Sequence, residues 1–546
     1  MIFFINSSFN EKNSGIEHAQ LKRAALFRKH AQPFKLVFRE WNPTIHYFLA
    51  KVGVNDEETL VMFDYFQKAM NFPEKIIQVK DLDFGLLNIR YDKEEEKGRY
   101  LIFQEQQLVA RVSYFTEDSL ERIRSVEYFD GFGNLYRVDF YDFRGFLSLA
   151  QWYTPDNKIG TEVWYDIYGQ PILETYNRYN ARKNYIKTGW RLIEDNGAIY
   201  MFSNIEELTL HFLNRLNEKY WRDEKANIFI MDRTHLADWA LLNLEHPAYT
   251  VLHLHNAHMS DAQDAMYSML NNFYEFSLTN VNGYDAIISA TEKQTQDIRK
   301  RFNPSAKLFT IPVGINSEKI LREKRLPMSL RKNHSILMTC RIAPEKGIDK
   351  VIEAVGIAKR KIHDITLDVY GYIDHRNQDE AKKAIDDAIE KYELNNCVHL
   401  HDYLEKEEVI SVQKEHQVYA LMSVMEGFNL ALLEAQSHGM VTVTNDVNYG
   451  PNDLVVDKKN GYIVSFNGVE EMAEKFVTLF SNETLLQSLS TNAYDLSQRF
   501  SEERVWQAWQ ELLRDAATKK VRKITPIHKG IGEQNPNNEK LNDSLR

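Results

Sequence analysis

The sequence predicts an α/β fold: two doubly wound parallel sheets facing each other, the first interrupted by an antiparallel β-meander. Three observations carry this. Short apolar strands alternate with amphipathic helices at both ends of the chain, the signature of parallel sheets with helical crossovers. Between them, from Tyr128 to Tyr176, aromatic pairs recur every twelve residues, the spacing of a short strand plus a turn. The length of 546 residues also suits three domains better than one.

The elements follow in order. Ile2–Asn6 is apolar and β-prone, Asn6 to Gly15 is a polar loop, and Ile16–His30 has helical apolar spacing. Such a unit opens a nucleotide-binding domain, although many βα units bind nothing. The meander carries Tyr128-Phe129-Asp130, Phe140-Tyr141-Asp142, Trp152-Tyr153-Thr154 and Trp164-Tyr165-Asp166, with Gly133, Gly145, Asn157 and Gly169 at one phase of the repeat. Neighbouring rings on a strand point to opposite faces, so one face packs inward and the other offers a platform unless both are covered. Then come a helix over Glu206–Trp221 and strands at Asn227–Met231, Thr250–His255 and Ala286–Ala290, with a linker near Pro304–Pro327. The second series has strands at Ile336–Thr339, Ile365–Tyr370, Val398–Leu400, Val418–Met422 and Val441–Thr444, with helices at Lys350–Lys359, Asp379–Tyr392 and Leu430–His438. The expected domains are 1–76 with 201–315, the inserted sheet at 77–200, and a second α/β domain at 316–500. A helix at 501–518 then packs back on the first domain, and a polar, disordered tail covers 519–546.

Composition narrows the function classes. No apolar run reaches the ~18 residues of a membrane span, and Met1–Asn6 reads as a buried strand rather than a signal peptide. Two cysteines, Cys340 and Cys397, fit a reducing compartment, hence a cytoplasmic protein with at most peripheral membrane association. The formal charge of −11 argues against a nucleic-acid binder. Aromatic residues make up 12% of the chain.

Three constellations carry chemistry. Arg341 and Lys346, on a loop just after a strand, can both reach one diphosphate, Arg as a fork and Lys as a point charge; two solvated loop charges would read the same. Glu426 and Glu434 flank a helix N-terminus, where free amides favour anions and Gly427 permits close backbone approach. Eight residues of helical rise separate the carboxylates by about 12 Å, too far for a glycosidase pair. His253, His255 and His258 end a strand of the first domain; no fourth ligand is evident, so no metal is expected. They read equally as core histidines or as cleft groups.

Together these motifs resemble the retaining glycosyltransferases of family 4, which have the GT-B architecture of two facing Rossmann-like domains. Glu426-x7-Glu434, Arg341 with Lys346, Asp368-Val369-Tyr370-Gly371, Gly450-Pro451 and Asn460-Gly461-Tyr462 carry the likeness in the second half. In the first half Asn13-Ser14-Gly15-Ile16-Glu17-His18-Ala19, the meander and His255-x-x-His258 resemble a bacterial branch that modifies serine-rich or Ser-Asp-repeat surface adhesins, or wall teichoic acid. The likeness implies retention at the anomeric carbon, a UDP-sugar donor (UDP-GlcNAc or UDP-glucose) and no metal. It implies a catalytic set of Arg341 and Lys346 on the diphosphate, Glu426 at the sugar and His255 beside it. Ser14, Gly15, Gly427, Phe428, Asn429, Leu430, Glu434 and His258 would bind substrate, with Glu434 on the ribose. Partners implied are a repetitive anionic acceptor, serine hydroxyls being slightly favoured over teichoic acid, and a second copy or related co-protein through the inserted sheet. A non-catalytic co-protein is the alternative class; the presence of all four donor-site residues favours the enzyme. Two positions depart from the pattern: Ser14 stands where a second glycine is frequent, and Gly439-Met440-Val441 lacks a proline.

Overall fold

The computed structural model describes residues 1–222, 224–375 and 379–521. A seven-stranded parallel sheet runs in the order Lys307–Thr310, Ala286–Ser289, Tyr249–His253, Ile228–Met231, Ile2–Asn6, Phe34–Phe38, Thr59–Val61. A six-stranded parallel sheet runs Val398–His401, Thr366–Tyr370, Ser335–Thr339, Val418–Leu421, Val441–Asn445, Gly461–Val464. Both are covered by helices on both faces, as parallel sheets must be. Strand Ile2–Asn6 is buried at all five positions, which is why it reads as continuous apolar sequence rather than as an alternation.

Some elements differ from the sequence reading. The stretch expected to be a linker contains strand Lys307–Thr310, which closes one edge of the first sheet. Thr59–Val61 has three residues and Gly461–Val464 has four, too short to show a period, and neither was expected. Helices Val469–Phe480 and Glu483–Ser497 complete the second domain.

The inserted sheet is a ten-stranded antiparallel meander from Ile89–Glu94 to Ile199–Phe202, each strand paired with the next. Gly133, Gly145, Asn157 and Gly169 all have positive φ, at 82°, 93°, 57° and 79°. The amide of each donates to the carbonyl three residues earlier, at Asp130, Asp142, Thr154 and Asp166. Two further turns at Lys183 and Gly197 follow the same rule, but their spacing of fourteen breaks the twelve-residue register. Gly145 has a second constraint, because a Cβ there would lie 1.7 Å from the Lys75 carbonyl oxygen.

The two faces of this sheet differ. Leu149, Trp164, Leu173, Trp190 and Leu192 form one core with Phe3, Phe63, Phe212 and Phe229 of the first domain. Trp164 stacks on Trp190 at 5.3 Å, and Phe63 packs on Trp164. Elsewhere Tyr136 and Trp152 stay 40% exposed around Arg137, whose guanidinium lies 5.0 Å from the Trp152 ring centre.

Helix Glu502–Thr518 returns to the first domain: Trp506 and Trp509 share a core with Phe4, Phe27 and Phe38. Order continues slightly past it, since the Lys519 Nζ donates to Asp285 at 2.7 Å and Val521 is buried. The rest of the expected tail lies outside the described residues.

Candidate functional site

In each parallel sheet the strand order reverses at one place, and ligands of such folds sit there, outside the carboxyl ends of the strands. In the first sheet the reversal falls between Ile2–Asn6 and Ile228–Met231; in the second it falls between Ser335–Thr339 and Val418–Leu421. The loops leaving those four strands carry Ser14, Asp232, Arg341 with Lys346, and Glu426.

On the second domain, the Lys346 Nζ donates to the Glu426 Oε1 at 2.6 Å, and the Ser423 hydroxyl donates to the same oxygen at 2.8 Å. Burial disfavours the Lys346 charge, but the Glu426 carboxylate outweighs it and raises the lysine's pKa. Arg341 is one-third exposed and pairs with Glu345 and Asp374. A diphosphate would exchange those two carboxylates for phosphate oxygens. Glycine lets the loops pack closely: a Cβ on Gly371 would meet the Cys340 carbonyl oxygen at 1.9 Å, and one on Gly450 the Phe428 carbonyl oxygen at 1.8 Å. Cys340 itself is held as a thiol, burial pushing its pKa up to about 12.

Glu426 and Glu434 are not on one helix. The helix is Leu430–Ser437 only; Asn429 caps it at φ 75°, its side chain accepting from the Leu432 amide at 2.9 Å. Glu426 lies in extended chain that pairs with Tyr449. The 12 Å axial separation expected from helical rise therefore does not describe this pair. Phe428 is buried against Phe500, so it serves packing through its ring.

From the first domain, helix Gly15–Lys29 starts opposite Leu430. Ser14 caps it in extended conformation, and Glu17 completes a capping box. Neither residue needs positive φ, so Ser14 in place of glycine costs the backbone nothing, and a Cβ on Gly15 would meet only Leu430 Cδ1, at 4.0 Å. Arg233 donates to Glu17 at 2.8 Å and to the Ser14 hydroxyl at 3.2 Å. Two turns into the helix, the Lys22 Nζ crosses the cleft and donates to Glu434 Oε1 at 2.6 Å. Burial would raise the Glu434 carboxyl's pKa, but Lys22 more than offsets it.

The histidines separate into two environments. Asp232 is fully buried and accepts from His255 Nε2 at 2.8 Å and from Arg23 Nη1 at 2.8 Å, with His253 Nδ1 at 3.2 Å. Burial, then the neighbouring His255, lowers the His253 pKa to about 3, so it is neutral. Asp232, His253 and His255 bring one oxygen and two nitrogens within 4.8 Å of one another, a set able to hold a cation. Arg23 already occupies the carboxylate with both its terminal nitrogens, so a metal would have to displace a buried guanidinium. The carbonyl oxygen of His255 faces Gly427 across the cleft, 2.1 Å from where a Cβ would stand. His258, expected to line the cleft, is instead fully buried: it stacks on Tyr449 at 5.9 Å beside Phe302, with its pKa lowered to about 4 by burial and Arg301. It belongs to the packing between the domains.

The geometry thus gathers Arg341, Lys346, Glu426, Gly427, Glu434, Ser14, Gly15 and His255 around one cleft and sets His258 and the ring of Phe428 into packing, the Phe428 backbone staying in the loop between Glu426 and Asn429. Lys22, Arg23, Asp232, Arg233 and Ser423 were not anticipated. Each is a common residue type outside a motif, and Lys22, Arg23, Asp232 and Arg233 each have a partner more than 200 positions away; the place of Ser423 three residues before Glu426 was the one available signal.

Comparison with known proteins agrees with the fold. Residues 324–496 match the family model described as Glycosyl transferases group 1. The chain is 27% identical over 539 residues to the UDP-N-acetylglucosamine--peptide N-acetylglucosaminyltransferase GtfA subunit of Streptococcus gordonii, covering 94% of this chain and 98% of that protein. It is 24% identical over 475 residues to the poly(ribitol-phosphate) alpha-N-acetylglucosaminyltransferase of Staphylococcus aureus, covering 85% and 89% respectively. Among solved structures, the pneumococcal O-GlcNAc transferase GtfA, in complex with UDP and GlcNAc, superimposes with a TM-score of 0.78 at 21% identity, over 95% of this chain and 99% of that one. The fold is GT-B with an inserted antiparallel sheet.

Proposed function

We propose that this protein is a retaining glycosyltransferase that moves GlcNAc or glucose from a UDP-sugar to hydroxyls of a bacterial surface polymer, with serine side chains of a serine-rich or Ser-Asp-repeat protein as the favoured acceptor. The observation that carries the reading is the convergence of Arg341, Lys346 and Glu426 on one side of a cleft whose other side is the capped start of helix Gly15–Lys29. Arg341 and Lys346 neutralise the charge that grows on the departing diphosphate, electrostatic stabilisation that needs no metal. Glu434 takes the ribose hydroxyls once Lys22 releases it, and Glu426 and Gly427 hold the sugar. The C1–O bond to UDP breaks, the acceptor oxygen bonds to C1 on the same face, and its proton passes to a phosphate oxygen of the leaving UDP.

The serine acceptor is supported by near full-length similarity to the peptide-modifying relative. A cavity of about 430 Å³ between the inserted sheet and the first domain, lined by Arg39, Trp41, Trp164, Lys187, Trp190 and Glu206, includes the residues that leave the carboxyl end of strand Phe34–Phe38 and gives a chain-like acceptor a place to rest. Teichoic acid is the second reading, favoured by the similarity to the poly(ribitol-phosphate) enzyme. Among the described residues no helix is long and apolar enough to cross a membrane; a cytoplasmic enzyme, working alone or with a related co-protein on the sheet, fits the proposal. The test offers radiolabelled UDP-GlcNAc and UDP-glucose with a serine-rich peptide, a Ser-Asp peptide and teichoic acid in parallel. Label on a peptide supports the first reading and label on teichoic acid the second. Absence of both UDP binding and turnover defeats the enzyme and leaves the non-catalytic partner.

A further inference from the structure

Asp232 follows strand Ile228–Met231 and gathers four side-chain contacts at the cleft's first-domain wall. Arg23 grips both its oxygens, His253 Nδ1 lies at 3.2 Å, and His255 Nε2 lies 2.8 Å from its Oδ1. The guanidinium is itself clamped, 3.8 Å above the Phe4 ring centre and 5.6 Å from that of Trp509, and Trp509 meets His253 edge-on at 6.0 Å. The Asp232 side chain is fully buried and that of His255 is 2% exposed; His255 sits where the two domains meet, its carbonyl abutting Gly427.

We infer that Asp232 is a positioning residue for His255: it holds the imidazole as the tautomer protonated on Nε2, leaving Nδ1 as a bare acceptor for a hydroxyl in the cleft. This rests on the proposed reading of His255 as a group beside the transferred sugar. A carboxylate is the right partner because it can only accept, so the proton between it and the ring must sit on the histidine. Arg23 is the right counter-ion because a lone buried carboxylate would be too costly, and its fork binds Oδ2 alone and shares Oδ1 with His255. Helix Glu502–Thr518 thereby reaches the cleft indirectly, Trp509 bracing Arg23, Arg23 bracing Asp232, and Asp232 bracing His255.

The test uses the full chain with isotopically labelled histidine, the His255 signals assigned by His255→Gln. The wild type should show His255 in a single Nε2–H form. In Asp232→Asn the amide can donate as well as accept, so the ring should populate both tautomers. The kcat of sugar transfer should fall on the order of 10²-fold, the scale of a misplaced group, while the Kd for UDP changes less than twofold. Should Asp232→Asn fail to fold because Arg23 is left uncompensated, the double variant Arg23→Gln with Asp232→Asn removes both charges and carries the same readouts. An unchanged His255 tautomer in the folded variant overturns the inference, as does a loss of kcat matched by the loss of UDP affinity. If His255→Gln itself transfers sugar at the wild-type rate, the reading of His255 fails, and the tautomer signal still decides separately whether Asp232 sets the ring.

Discussion

Replacing Lys22 with methionine should make the protein bind UDP more tightly, the reverse of what removing a cation near a diphosphate normally does. Lys22 reaches across the cleft to Glu434 at 2.6 Å, and the two side chains are 23% and 32% exposed. An ion pair with that much water around it contributes about 0.5–1 kcal/mol. In the proposed binding mode the ribose hydroxyls need the same carboxylate, so UDP must break the pair before it can use Glu434. Methionine keeps the aliphatic stem and removes the competitor, and 0.5–1 kcal/mol corresponds to a Kd about 2–5-fold lower. Titration calorimetry with UDP measures this directly, with Glu434→Gln as the partner variant that should lose affinity. The gain should shrink at high ionic strength, because salt already weakens the exposed pair in the wild type. A Kd that rises in Lys22→Met would mean that Lys22 serves the diphosphate, and the reasoning would be wrong.

Three other outcomes follow from the geometry. Gly427→Ala places a Cβ 2.1 Å from the His255 carbonyl oxygen, so the two loops must separate; kcat/KM should fall on the order of 10²-fold while the melting temperature holds, and near-wild-type turnover would show that the loops need not touch. His46 bridges Asp56 and Asp64 at 2.6 Å each, beside the buried Arg144 of the inserted sheet. Burial lowers its pKa, but the two carboxylates outweigh it and raise the value to about 9. Its proton is bound more tightly folded than unfolded, so that stability is fully present below pH 6.5 and about 3 kcal/mol is lost as pH rises through 9; urea midpoints that fail to drop between pH 6 and pH 9.5, relative to His46→Gln, would contradict this. Trp509→Ala should cost about 3–5 kcal/mol of stability, read as a shift in denaturation midpoint, because its ring fills the space between Phe4, Phe27 and Arg23.

Much of the fold was legible because its signals are local. Five buried residues in a row mark Ile2–Asn6 as an internal strand, and a residue able to take positive φ every twelve positions marks the meander's turns. Legibility failed where the signal is short or distant. Lys307–Thr310 alternates only twice, too little to separate a strand from a linker. Lys183 takes a turn position where the repeat had supplied glycine or asparagine, so that turn was unmarked, and Gly197 falls off the twelve-residue register. In the site, Arg341, Lys346, Glu426 and Glu434 lie within recognisable spacings. Lys22 and Glu434 are 412 positions apart, and Arg23 and Asp232 are 209 apart; only the folded chain brings either pair together. His258 misled for the opposite reason: it sits three residues from His255, yet the chain turns it inward to Tyr449.

The terminal helix also sets an order of events during synthesis. Phe4 and Phe27 leave the ribosome before the rings that cover them, since Trp506 and Trp509 are made some 500 residues later. At about 5–20 residues per second that interval is on the order of 25–100 seconds. Throughout it, one face of the first domain stands uncovered while the inserted sheet and the whole second domain are made. The newborn chain therefore has a long window in which a chaperone, or another copy's terminal helix, can occupy that face. An engineer who moves or truncates residues 502–518 also uncovers the core around Phe4, Phe27 and Phe38.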